Sequence, residues 1–283
     1  MTENKKMLVV LAHPDDESFG MGGTIAYYTS QGVEVTLICA TRGEVGTVDP
    51  EFMDGYNSIG ELREAELRCA GKILGLKDII LLDYRDSGMV GSEDNQHPQA
   101  LAAQDIESVA EKVIHYIRDI RPQVVVTFDP VGGYHHPDHI AIHKATVRAF
   151  EAAGKQDNLV NGQDSFQPER LYYMVFSRKF LRFVVKFLRL IGRDPTKFGR
   201  NNDLNLEMMT RDPDLPQHIS ISYRRVTKQK TQADACHASQ NNVSSQSPIW
   251  ARVLLALSRK KDHFMQAFPI VPEDYRQSDL FSK

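Results

Sequence analysis

With 283 residues, 41% hydrophobic and 25% charged, the chain has the make-up of an ordinary soluble globular protein, which excludes a fibre or a disordered polymer. A net charge of -3 leaves no general basic footprint, so nucleic acid is not an expected partner. The three cysteines, Cys39, Cys69 and Cys236, are odd in number, far apart and without a CxxC pair, which favours a reducing compartment and no disulfide frame.

The chain opens with "MTENKK" and a short apolar run, too short for the apolar region of a signal peptide, and no later run approaches a membrane span. A cytoplasmic protein is expected. Strand-like runs then alternate with helix-period segments through the first 150 residues, the pattern of βαβ units around a mainly parallel sheet. Residues 7–12 (MLVVLA), 33–40 (VEVTLICA), 78–82 (DIILL) and 123–128 (QVVVTF) read as strands. "GGTIAYYTSQG" and "IGELREAELRCAGKILGL" read as helices, the second stopped at Gly75. "DIESVAEKVIHYIRDIRP" is a third, ended by Pro122, and "HPDHIAIHKATVRAFEAAG" a fourth that starts on a proline. In such sheets ligands sit outside the carboxyl ends of the strands.

Beyond "PERLYYMVFS", another expected strand, the pattern loses regularity, and an irregular C-terminal extension over the active-site mouth is expected. "SRKFLRFVVKFLRLIGR" (177–193) carries six Lys or Arg and no acid among large apolar residues at helical spacing. One reading is an amphipathic helix for a membrane surface or an anionic ligand. The favoured one is a covering helix with solvated charges. "HASQNNVSSQSP" reads as a loop and "IWARVLLALS" as a late helix. With no repeat and no long linker, residues 1–283 are read as one domain: a Rossmann-like metal-binding core over 1–153, and a substrate-pocket and covering segment over 154–283. A homo-oligomer is compatible with the sequence.

His-Pro-Asp occurs twice, in "AHPDDE" at 12–17 and "HHPDH" at 135–139, each straight after an expected parallel strand. Adjacent strands would bring the two together. His13, Asp16 and His139 are suited to hold Zn²⁺, one per chain, because a catalytic zinc takes three protein ligands and leaves a position for water. Fe²⁺ is the alternative ion in the cell. Asp15, facing away from the ligands, could accept a proton from the water. His136 could stabilise an oxyanion or protonate a leaving nitrogen, with Asp138 as its orienting partner. The competing reading is local: Asp15 or Asp16 as a helix cap, and Asp138 against a helix dipole. Two such clusters at strand ends outweigh it. His143, four residues after His139, is not followed in the HExxH sense and is assigned a supporting or surface place. "GMGG" at 20–23 lacks the GxGxxG spacing of a dinucleotide site.

"AHPDDES", "ELREAEL", "YRDSGM" and "DPVGGYHHPDH" occur in the order found in the PIG-L/LmbE family of zinc-dependent N-acetylglucosaminyl deacetylases, which the chain resembles over its first 150 residues. "YRDSGM" and "GGYHHPDH" resemble the branch that deacetylates the GlcNAc-inositol precursor of mycothiol and its relative that cleaves mycothiol conjugates. The resemblance implies zinc ligation by His13, Asp16 and His139, a general base at Asp15, an electrostatic or acid role for His136 with Asp138, and carbonyl assistance from Tyr134. It places Arg63 and Asp86 on the sugar and, through "CHASQ", His237 near the pocket. Gly20 stands where that branch has serine, and the 178–193 segment has no counterpart in it. The implied reaction is removal of an N-acetyl group from a GlcNAc-containing small molecule, a GlcNAc-inositol glycoside favoured. The alternatives are an amidase releasing a larger acyl or cysteinyl group and a non-catalytic metal- or sugar-binding protein.

Overall fold

Met7 to Ala12 have no solvent exposure, so the apolar run that opens the chain forms the middle of a sheet and not its edge. The computed structural model describes residues 4–156, 162–198, 204–240 and 260–282. In chain order the elements are β1 (Lys6–Leu11), α1 (Asp16–Thr29), β2 (Glu34–Thr41), α2 (Ile59–Leu74), β3 (Asp78–Tyr84), α3 (Ile106–Ile120), β4 (Val124–Thr127), α4 (Gly132–His135) and α5 (Pro137–Ala153). They continue with β5 (Arg170–Val175), α6 (Arg178–Leu190), α7 (Leu206–Met209), β6 (Ile219–Ser222), α8 (Thr227–Cys236) and β7 (Lys261–Phe268). The strands form a seven-stranded sheet in the order β3-β2-β1-β4-β5-β7-β6. The first five run parallel, whereas β7 runs antiparallel to both β5 and β6. The α/β class read from the sequence therefore holds.

Local signals set the helix limits. Ser58 accepts a hydrogen bond from the Glu61 amide to start α2, and Gly75 ends it at φ 77°, where a side chain would be strained. Asp105 caps α3 through the Ser108 amide. α5 begins on Pro137, with the His136 ring accepting the Asp138 amide as its cap.

One topological fact positions the site. β1 and β4 are direct neighbours, with Met7 opposite Val124, so the segments leaving their carboxyl ends emerge side by side. These are the two His-Pro-Asp segments. The loop after β3 reaches the same end of the sheet through Ser87, whose amide bonds to Asp138.

Two expectations need correction. The C-terminal part is more regular than its sequence suggests: β7 and β6 extend the sheet, and α8 packs on α1 and α2. Most of the expected polar loop and the whole "IWARVLLALS" segment lie outside the described residues. The expectation of no disulfide fails as well, because packing of α8 on α2 brings Cys69 to Cys236 across 167 residues of sequence, and the two are bonded. Cys39 alone stays a thiol, buried on β2. The compartment argument built on unpaired cysteines loses its basis. No described helix is long and apolar enough to cross a membrane.

Candidate active site

The two strand ends bring three donor groups to one point. His13 Nδ1 lies 3.2 Å from His139 Nε2 and 3.5 Å from Asp16 Oδ2, and Asp16 Oδ1 lies 3.3 Å from His139 Nε2. The outer nitrogens of both rings are already engaged. His13 Nε2 donates to Asp138 Oδ2 at 3.0 Å, and His139 Nδ1 donates to the Gly132 carbonyl at 3.2 Å. In its neutral form each ring turns an unprotonated nitrogen inward, which is the tautomer a metal ligand needs, although the Asp86, Asp138 and Asp16 carboxylates outweigh burial and raise the His13 imidazole well above its usual value. Metal–nitrogen bonds of about 2.0–2.1 Å in a tetrahedron set neighbouring ligand atoms about 3.3–3.4 Å apart, close to the spacing of the two ring nitrogens, and Asp16 meets each nitrogen with a different oxygen. His136 also offers a nitrogen within 4.8 Å of those of His13 and His139.

The carboxylates do not cap helices. Asp16 takes the His13 amide on Oδ2 at 2.8 Å, and the pull of His139 and His13 outweighs burial and holds its carboxyl well below the usual range. Asp138 is fully buried and accepts from the Ser87 amide, the Ser87 hydroxyl and His13. Its carboxylate serves His13, not His136; only its amide meets the His136 ring. The expected Asp138–His136 pairing is corrected accordingly.

Asp15 occupies the first turn without any side-chain cap bond, at φ 112° and ψ -29°, a costly conformation for a non-glycine residue. Both its sides are fastened. Its amide donates to Glu17 Oε2 at 3.0 Å, and its Oδ2 receives Arg63 Nη2 at 2.9 Å. Burial lifts the Asp15 carboxyl to about 6, against the opposing pull of Arg63.

His136 and Tyr134 complete the centre. Burial, with His13 and His139 beside it, pushes the His136 imidazole well below its usual value, so the ring is neutral. Since its Nδ1 accepts the Asp138 amide at 3.2 Å, its proton sits on Nε2. Burial and the nearby Asp16 and Asp15 raise the Tyr134 phenol, which keeps its proton, and the ring stands edge-on to His139 at 4.9 Å. Asp86 lies 3.6 Å from His13 Nε2 and takes the Gly88 amide on the same oxygen. Despite burial, His13 holds its carboxyl far below the normal range.

Arg63, which the resemblance puts on the sugar, and His237, which it puts near the pocket, both have protein partners. Arg63 is buried, with Nη1 on the Gly43 carbonyl and Nη2 on the Pro14 carbonyl and Asp15. A Cβ at Gly43 would lie 1.8 Å from Nη1, so only glycine there admits the guanidinium. Arg63 thus holds the base and the turn, leaving little of it for a ligand. His237 has no exposure and bonds to Glu17 Oε1 at 2.7 Å, the carboxylate whose other oxygen takes the Asp15 amide. His143 is buried on the Phe128 carbonyl, away from the donor set. Sequence reasoning does not reach Ser87 or Glu17. It also misses the pairing of Glu66 with Ser239, through which "ELREAEL" and "CHASQ" dock on each other. A buried acid within "AHPDDE" and a serine within "YRDSGM" were the available signals.

Residues 8–150 match the profile of the PIG-L family, described as GlcNAc-PI de-N-acetylase. A 1D-myo-inositol 2-acetamido-2-deoxy-alpha-D-glucopyranoside deacetylase of Acidothermus cellulolyticus is 37% identical over 256 residues, 87% of this chain and 82% of its own length. The chain belongs to the PIG-L family. A deacetylase of the same description, numbered 2, from Catenulispora acidiphila is 40% identical over 206 residues, 69% of this chain and 68% of its own. Among solved structures, N,N'-diacetylchitobiose deacetylase from Pyrococcus horikoshii superposes with a TM-score of 0.63 at 22% identity, over 93% of this chain and 84% of that one, a likeness of fold. The resemblance carried by "AHPDDES" and "HHPDH" is therefore family membership, and the PIG-L chain is a deacetylase, a hydrolase of an amide bond.

Proposed function

We propose that this PIG-L chain removes the N-acetyl group from an N-acetylglucosamine-containing small molecule, a GlcNAc-inositol glycoside first among them, giving acetate and the amine. One observation carries the reading: His13 Nδ1, His139 Nε2 and the Asp16 carboxylate converge beside a second carboxylate, Asp15, that none of them uses. Those three would hold one Zn²⁺, with Fe²⁺ as the alternative, and the ion when bound would supply a Lewis acid and lower the pKa of a water to about 7.

The chain's own groups do the rest. Asp15, at about 6, is ionised at neutral pH yet basic enough to take a proton from the attacking water onto its carboxylate. The same carboxyl then carries the proton that the departing nitrogen needs. Neutral His136 presents Nε2–H, and Tyr134 its phenol, as donors for the charge that develops on the carbonyl oxygen. Asp138 keeps His13 in the ligating tautomer. We read the chain as one deacetylase unit, with 1–153 carrying the chemistry and 154–283 shaping the pocket; continuation of the sheet from β4 into β5, β7 and β6 supports that reading.

The test is metal analysis joined to an acetate-release assay on GlcNAc linked to inositol, to a lipid and to a second sugar. The zinc-loaded protein is expected to release acetate fastest from the inositol glycoside, and Asp15→Ala to lose about 10²–10⁴ in kcat while keeping its metal. Acetate release at the wild-type rate by metal-loaded Asp15→Ala would refute the assignment of the base.

A further inference from the structure

α6 has two unlike faces. Its inner face, Val184, Val185 and Leu188, packs with Leu206 and Met209 into a small cluster apart from the main core, and Tyr134 of the active site rests against it. That is the covering role. The outer face keeps Phe180 at 41%, Phe183 at 51% and Leu190 at 84% exposure, in line with Phe176 just before the helix. Spacings of four, three and seven residues put these on one stripe. The cations of residues 178–193 divide by partner, and Arg178, which is buried, pairs with Asp212. Arg182 pairs with Asp214 and Arg189 with Glu207, while Lys179, Lys186 and Arg193 have no ion-pair partner among the described residues. No acid interrupts the run from 178 to 193.

A stripe of exposed aromatic and aliphatic side chains beside unpaired cations does nothing for the fold, because the helix already has its buried face. We propose that the outer face of α6 docks on an anionic phospholipid bilayer, with the Phe180–Phe183–Leu190 stripe entering the boundary between headgroups and acyl chains and the three cations meeting the lipid charge. Charge selects this occupant. A second copy of the chain would set cations against cations across the contact. The helix has the composition of a segment that lies in the interface plane, and no described helix spans a membrane. The stripe lies close to the catalytic segment: the Phe176 ring is 3.9 Å from where a Cβ on Gly133 would stand, one residue before Tyr134. The inference concerns attachment and is independent of which acetamide is cleaved.

Sedimentation of the full chain with vesicles tests it. Binding is expected to vesicles of phosphatidylcholine and phosphatidylglycerol at low salt, to weaken at high salt, and to be absent with phosphatidylcholine alone. Each basic residue near an anionic surface is worth about fivefold in partitioning, so Lys179→Glu with Lys186→Glu should lower it by about 25-fold or more. Phe180→Ser with Phe183→Ser should lower it by about tenfold or more. Both variants alter exposed positions, and an unchanged thermal transition confirms their folding. Failure to bind the anionic vesicles at low salt, equal binding to the neutral ones, or wild-type binding by the Phe180→Ser, Phe183→Ser variant would overturn the proposal. So would a dimer that the same pair of substitutions dissolves, which would assign the face to a second copy.

Discussion

Replacing Arg63 with glutamine tests whether this residue serves the base or the substrate. Arg63 is 4% exposed and makes three hydrogen bonds, to the Gly43 carbonyl at 2.9 Å, the Pro14 carbonyl at 2.6 Å and Asp15 Oδ2 at 2.9 Å. Glutamine is too short to span them and carries no charge. Removing one partner of a buried ion pair costs about 3–5 kcal/mol. The Asp15 side chain keeps 18% exposure and can recover some hydration, which places the loss near the lower end, about 3 kcal/mol. At about 2–4 °C per kcal/mol for a chain of this size, the melting temperature should fall by about 6–12 °C. The second effect is on pH. Burial holds Asp15 at about 6, and Arg63 is the strongest influence pulling it down, so its loss lets the carboxyl climb. The base acts as the carboxylate, so the acidic limb of kcat/KM moves to higher pH, with activity below the new limb falling about tenfold per unit. Arg63→Lys, which keeps the charge, should recover part of that shift. The assay is kcat/KM for acetate release across pH. A raised KM with the acidic limb unmoved would refute this reasoning and return Arg63 to the sugar, where the sequence resemblance puts it.

Three further outcomes are expected. Asp138→Ala deprives His13 Nε2 of its acceptor and should weaken metal binding about 10–100-fold in a chelator competition, an unchanged affinity showing that the tautomer is set elsewhere. Asp262 is lifted by burial to about 6, although Thr24 donates to it twice, so the folded state binds its proton more tightly than the unfolded chain. Stability from that proton is present below about pH 4 and lost as pH rises to about 6, so Asp262→Asn should gain about 2–3 kcal/mol over wild type at pH 7 in urea unfolding. Near pH 4 the difference should vanish; a gap that does not change with pH would refute this. Under denaturing, non-reducing conditions a thiol reagent should titrate one cysteine, Cys39, and three after reduction. Three without reductant would mean that Cys69 and Cys236 are not bonded.

The legible part of the fold was the part with strong periodicity. β1, β2 and β4 are buried on both faces and read as unbroken apolar runs, and the helices between them carry their own stop signals at Gly75 and Pro122. β6 and β7 escaped because one is the four-residue "ISIS" and the other, "KDHFMQAF", mixes polar residues into an edge region paired antiparallel. The donor set was legible because a repeated His-Pro-Asp is rare and both copies follow strands. What supports it was not. The Cys69–Cys236 bond, the Glu17–His237 contact and the Glu66–Ser239 contact all span more than 160 residues, and they depend on where α8 lands on α1 and α2, which no local pattern encodes.

The backbone at Asp15 has a consequence for how such a chain would decay. At φ 112° glycine is the comfortable residue, and an aspartate stays only because Glu17 and Arg63 clamp it. Asp16 and Asp138 are different, since their carboxylates also satisfy buried amides of His13 and Ser87. In a lineage released from the need to turn over substrate, folding alone would retain Asp16 and Asp138 and let position 15 drift to glycine. A descendant with the donor triad intact and a glycine at 15 would be a binder of metal that has ceased to be an enzyme.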